Sequence, residues 1–124
     1  MAKTKVLYIE DEKFFADTIN TVLSAAGYEV FLVDDGSRAI EMIKKERPDI
    51  VLLDLLLPNI DGRDILKQIK EDKEISNTPV IVFSNLSTED DVQKTNQLGA
   101  SLYFVKALTM PHAVSDAIRS VLNL

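Results

Sequence analysis

The chain contains no cysteine and only one histidine, and it has no long apolar run. Without cysteine there is no disulfide, no thiolate zinc site and no cysteine nucleophile. The single His112 rules out a His-rich metal site and reads as a surface residue in the first turn of a terminal helix. No apolar stretch approaches the roughly 18 to 20 residues that span a bilayer. Met1-Ala2-Lys3-Thr4-Lys5 is followed by four apolar residues before Glu10, too few for the core of a signal peptide. A basic excess is missing as well: 20 acidic against 14 basic side chains give a formal charge of −6. That balance argues against broad binding to a phosphate backbone, which needs a basic face. At 124 residues the chain has the length of about one domain. The reading is a small, soluble, cytoplasmic domain with no membrane and no direct nucleic-acid contact.

What is present is a strict alternation. Five short apolar runs, Val6–Ile9, Val30–Val33, Ile50–Leu53, Val80–Phe83 and Leu102–Val105, read as strands buried on both faces, as in a parallel sheet. Between them apolar residues recur at helical spacing. The last set, Val114, Ala117, Ile118, Val121 and Leu122, follows the i, i+3, i+4, i+7, i+8 pattern. The helix near 88–97 carries the weakest signal, with Val92 and Leu98 as its large apolar residues. Gly27 and Gly99 stand where a left-handed residue closes a helix. Asp61 and Thr88 read as N-caps, and Pro111 suits a first helical turn. Five β-α units in series imply an α/β domain with right-handed crossovers.

In open α/β sheets the binding site lies beyond the carboxyl ends of the strands. Glu10, Asp11 and Glu12 follow the first strand, Asp54 the third, Ser84 the fourth and Lys106 the fifth. If the first and third strands are neighbours, Glu10, Asp11 and Asp54 share one crevice. Such carboxylates repel one another and stay ionised only with a cation among them. Hard oxygen ligands suit Mg²⁺. Lys106 and Ser84 would add a positive charge and a hydroxyl donor, a combination that suits an incoming phosphoryl group.

At this point the chain resembles a receiver domain of the two-component response regulators. The resemblance is carried by Glu10-Asp11, Asp54, Leu57-Pro58, Asp61-Gly62, Ser84, and Tyr103 three residues before Lys106, and it extends over residues 1–124. It implies a flavodoxin-like, doubly wound (βα)5 fold with a five-stranded parallel sheet in the order 2-1-3-4-5. It implies that Asp54 accepts a phosphoryl group from the phosphohistidine of a sensor histidine kinase or a phosphotransfer protein. Mg²⁺ would be bound by Asp11, Asp54 and the backbone carbonyl of Leu56, with Glu10 helping through water. Lys106 would pair with Asp54 and then with the phosphoryl group. Ser84 would move to bond that group, Tyr103 would rotate inward, and the surface of the fourth helix, fifth strand and fifth helix would change for a downstream protein or a fused output domain. The chain would be a self-phosphorylating acceptor, with at most an intrinsic autophosphatase activity, and a monomer or weak dimer.

Four positions depart from the pattern of that family. Lys106 is followed by Ala107, where the family usually has proline in a cis peptide. A cis bond before alanine costs about 2.5–4 kcal/mol, which favours a trans bond and a less firmly held Lys106. Asn85 stands where a small residue is commoner, so crowding or an extra hydrogen bond is expected. Leu56 and Leu86 lie two residues beyond Asp54 and Ser84 and should hinder an attacking water, giving a long-lived phosphorylated state. Ser101-Leu102 replaces acids that support one dimer type. A phosphorylation-independent receiver-like adaptor is the alternative. A haloacid-dehalogenase-type hydrolase would need an acid where Leu56 stands, and a dinucleotide-binding domain would need a G-x-G-x-x-G after the first strand.

Overall fold

In a computed structural model, which describes residues 2–124, the alternation becomes five strands and five helices. They are β1 (Lys5–Ile9), α1 (Lys13–Ala25), β2 (Glu29–Val33), α2 (Ala39–Glu46), β3 (Ile50–Leu53), α3 (Gly62–Glu71), β4 (Val80–Ser84), α4 (Glu89–Gln97), β5 (Leu102–Val105) and α5 (Pro111–Val121). Single 3-10 turns at Gly36–Arg38 and Lys106–Leu108 lead into α2 and α5. All strand pairs are parallel and the order is β2-β1-β3-β4-β5. The expected flavodoxin-like topology is therefore the observed one.

Successive side chains of a strand point to opposite faces, and the two apolar cores divide accordingly. Leu7, Ile9, Val51, Leu53, Val80 and Val82 pack with Ala39 and Ile43 of α2 and with Ile65, Leu66 and Ile69 of α3. Val6, Tyr8, Ile50, Leu52, Ile81 and Phe83 pack with Ile19 and Leu23 of α1 and with Val114, Ala117 and Ile118 of α5. Burial on both faces holds for the central strands β3 and β4 and for nearly all of β1. It does not hold for the edges: β2 and β5 each have one neighbour, and Leu32 and Leu102 are exposed. The weak pattern at 88–97 also has its explanation. Thr95 is the one buried side chain of α4, and its hydroxyl donates to the carbonyls of Asp91 and Val92.

The punctuation falls where the sequence places it. Gly27 and Gly99 have φ of +95° and +104°, which side chains larger than hydrogen resist. The Asp61 carboxylate accepts from the Arg63 N–H at 2.9 Å, and Thr88 Oγ accepts from the Asp91 N–H at 3.1 Å. The Asp61 carboxyl is held below the usual range by its hydrogen bonds to Arg63. Among the described residues no helix is long and apolar enough to cross a membrane.

Candidate functional site

The site begins with strand register. Ile9 pairs with Leu53, so Glu10 and Asp54 emerge side by side at the carboxyl end of the sheet. Ser84 pairs with Val105, so Lys106 leaves the sheet next to the hydroxyl. The Asp54 N–H donates to the Ile9 carbonyl at 3.1 Å, which extends the β1–β3 ladder one rung into the site. Gly62 then lets α3 start directly beneath it. A Cβ there would lie 2.5 Å from the Asp54 carbonyl oxygen and 2.5 Å from Leu55 Cα.

Lys106 is the centre of the cluster. Its Nζ lies 2.8 Å from Asp54 Oδ2, 2.6 Å from Glu10 Oε1 and 3.0 Å from Glu12 Oε2. The residue is 4% exposed, and Nζ stands 4.6 Å from the centroid of the Phe15 ring. Burial alone would lower the Lys106 pKa, but hydrogen bonds to Asp54 and Glu10 outweigh it and hold the ammonium above its ordinary value. The expected loosening of this lysine is not seen. The Lys106–Ala107 peptide is trans, yet three carboxylates fix the side chain. The Ala107 N–H donates to Asn85 Oδ1 at 3.0 Å, so the two departures following Ser84 and Lys106 meet in one hydrogen bond.

Burial pushes the Glu10 carboxyl up to about 7, with the Lys106 ammonium pulling it down and Asp54 pushing it further up. Beneath it lies Tyr8, whose hydroxyl donates to Glu10 Oε1 at 2.8 Å. Burial and then the Glu10 charge hold that phenol far above its ordinary range. Asp54 Oδ1 accepts from the Leu56 N–H at 3.1 Å. Ser84 is buried, and its Oγ accepts from the Leu86 N–H at 3.5 Å. The Tyr103 hydroxyl donates to the Leu86 carbonyl, and burial, then the charges of Asp91 and Asp54, push its pKa up to about 12.

Of the residues singled out, the structure brings together Glu10, Asp54, Lys106 and Ser84. Asp11 is exposed and does not join the close group. Glu12 takes that place: Glu10, Glu12 and Asp54 each offer a carboxylate oxygen within 4.8 Å of the others. Leu56 is 52% exposed at the rim. Glu12 and Tyr8 were not singled out from the sequence. Tyr8 had an available signal, since it stands two residues before Glu10 on the same face of β1.

When all three carboxylates are ionised, the single ammonium leaves two negative charges unbalanced. All the anionic donors are hard oxygens, the chemistry that fits Mg²⁺. An acidic cluster of this kind, with a carboxylate held against a lysine at a strand end, can present an oxygen nucleophile to an electron-poor phosphorus.

Residues 6–118 match the family described as the response regulator receiver domain. The chain is 34% identical over its whole length to sporulation initiation phosphotransferase F of Bacillus subtilis, covering 98% of that protein. It is 35% identical over 123 residues to the Porphyridium aerugineum protein named "Probable transcriptional regulator ycf27", of which it spans half the length. Among solved structures it superposes on the phosphorylated cyanobacterial phytochrome response regulator RcpA with a TM-score of 0.82 at 31% identity, covering 97% of this chain and 91% of that one.

Proposed function

Because the chain belongs to the response regulator receiver domain family, we propose that it is a phosphoacceptor switch in which Asp54 is the nucleophile. The observation that carries this reading is the buried Asp54 carboxylate at the end of β3, bonded to Lys106 Nζ at 2.8 Å. A carboxylate oxygen of Asp54 forms a bond to the phosphorus of a phosphohistidine. The P–N bond breaks, its electron pair returns to the imidazole, and the ring keeps or takes up a proton from solvent. The product is an acyl phosphate on Asp54. Lys106 and Ser84 donate to the phosphoryl oxygens. Receivers are acceptors rather than enzymes in the ordinary sense.

The cofactor proposed is Mg²⁺, which would neutralise charge on the transferring phosphoryl group when bound. Asp54 and Glu10 would hold it, with the Leu56 carbonyl and with Asp11 or Glu12 from the β1–α1 connection. Glu12 is supported by its place in the carboxylate group, whereas Asp11 would have to turn inward from an exposed position.

Phosphorylation would act on Ser84 and Tyr103. Both are already tied to Leu86, in the connection between β4 and α4. A change there reaches α4 directly and would alter the α4-β5-α5 surface for a downstream protein or a fused output domain. The phosphodonor would be a sensor histidine kinase or a phosphotransfer protein, acting in the cytoplasm on a monomer or weak dimer of this domain. The receiver unit would extend over 1–124. Any autophosphatase activity would be slow, because Leu56 and Leu86 flank the acyl phosphate with apolar groups. A phosphorylated lifetime of only seconds in the isolated domain would contradict that part.

The test is mass spectrometry of the intact chain after incubation with phosphoramidate and Mg²⁺. A gain of one phosphoryl group, lost in Asp54→Asn, is expected. No gain in a folded protein refutes the phosphoacceptor reading and favours a phosphorylation-independent adaptor.

A further inference from the structure

Tyr8 is fully buried in the middle of β1, between its register partners Leu32 and Leu52. Its ring belongs to the core under α1 and α5, where a phenylalanine would bury nearly the same apolar surface. The hydroxyl has one partner, Glu10 Oε1, at 2.8 Å. The geometry follows from the strand. Residues i and i+2 share a face, so the phenol reaches along β1 to the carboxylate above it. Glu10 Oε1 is also the oxygen that Lys106 approaches at 2.6 Å, and Lys106 in turn bonds Asp54. A buried chain thus runs from Tyr8 through Glu10 and Lys106 to Asp54.

A glutamate has three side-chain torsions, and beside a lysine it can settle in several ways. In most of them Oε1 would leave its 2.6 Å contact with Lys106 Nζ. The Tyr8 hydroxyl removes that freedom by holding Oε1 at the floor of the crevice, while Oε2 accepts from the Glu12 N–H at 3.3 Å. We propose that Tyr8 is a positioning residue of the site: its hydroxyl fixes Glu10, so that Lys106 spans Glu10 and Asp54 at once and the carboxylate group keeps the spacing that takes a divalent cation. The inference rests on the receiver reading given above.

Tyr8→Phe removes only the hydroxyl. Calorimetric titration of the unphosphorylated protein with Mg²⁺ should show an affinity about tenfold lower, the scale of losses when the partner of a metal-binding group is removed. Phosphorylation by phosphoramidate should slow as well. In a Glu10→Gln background the same change should have no further effect on Mg²⁺ affinity, because Tyr8 acts through that carboxylate. A purely structural tyrosine would lower the melting temperature and leave Mg²⁺ affinity unchanged, and that result overturns the inference, as do additive effects in the double variant. Should Tyr8→Phe not fold, the wild type carries the test by NMR. The Tyr8 ring resonances should shift with the same Mg²⁺ midpoint as the Asp54 amide, and ring signals unmoved across the titration overturn the inference. The two readings fail separately. A wild type that gains no phosphoryl group, yet binds Mg²⁺ with an affinity that depends on Tyr8, refutes the phosphoacceptor reading and supports the positioning role. A phosphorylated wild type with an unaffected Tyr8→Phe affinity does the reverse.

Discussion

Replacing Lys106 with methionine tests the electrostatics of the site most directly. Methionine keeps an apolar stem near the rings of Phe15 and Phe83 and removes the one positive charge from a group of three carboxylates. Taking away one partner of a buried ion pair costs about 3–5 kcal/mol, because the other is left uncompensated. The cost here should depend on pH. The Glu10 carboxyl already stands at about 7 through burial, and Lys106 is what pulls it down. Without the ammonium it rises further. An unfolded glutamate titrates near pH 4.3, so the native state binds the extra proton, and stability falls as pH rises through that window. Well below pH 7 the raised Glu10 carboxyl carries its proton in the native state of both proteins for most of the time, so their difference changes little there. Above it, only the variant keeps the proton, and forcing it off adds up to about 1.4 kcal/mol per pH unit. Urea unfolding in EDTA should therefore show a loss about 1–2 kcal/mol larger at pH 8.5 than at pH 6. An equal loss at both pH values, or none at pH 8.5, would refute the argument.

Two further substitutions probe how the backbone presents the site. Gly62→Ala would drive a Cβ against the Asp54 carbonyl and Leu55 Cα, both at 2.5 Å. It should cost about 1–3 kcal/mol as overpacking and weaken Mg²⁺ binding in calorimetry, and a variant with native stability and affinity contradicts the close approach. Asn85→Ala removes the acceptor of the Ala107 N–H. Amide exchange at Ala107 should then speed up about two- to tenfold, the range for one hydrogen bond of modest net worth; an unchanged rate measured by NMR means that the bond does not hold the loop.

Much of the molecule was legible in the sequence because a parallel α/β fold writes itself plainly. Strands such as Ile50–Leu53 are apolar throughout, and helices such as α5 carry a clear stripe. Asp54, Ser84 and Lys106 could be found because each stands at the end of such a run. The connection from β1 to α1 was harder. Glu10, Asp11 and Glu12 lie between Ile9 and Lys13, in a segment with no period, so spacing cannot say which of three consecutive acids turn inward. Glu10 is buried in the crevice and the exposed Glu12 reaches its rim, whereas Asp11 does not join the group. Tyr8 was absorbed into an apolar run because its hydroxyl has no signature in a hydropathy pattern. The bond between Asn85 and Ala107 joins positions 22 residues apart, and only the β4–β5 register brings them together.

The same connection limits how Lys106 can work. An ammonium has three donors; Glu12 and Asp54 accept hydrogen bonds from Lys106 Nζ, and Glu10 makes an ion contact with it at 2.6 Å. For Lys106 to bond a phosphoryl oxygen while keeping its contact with Asp54, Glu10 or Glu12 must let go. Glu10 is held from below by Tyr8 and is buried, whereas the Glu12 side chain is 54% exposed. Releasing Glu12 into water costs least, because an ion pair of that exposure is worth about 0.2–1 kcal/mol. Glu12 therefore competes with the phosphoryl group for Lys106, and Glu12→Ala should raise the rate of phosphorylation by phosphoramidate about two- to fivefold. Mg²⁺ must be saturating in that assay, so that any loss of cation affinity is not read as a change in rate. A slower Glu12→Ala under those conditions would mean that Glu12 assists the transfer rather than competing with it, as an indispensable holder of the cation would.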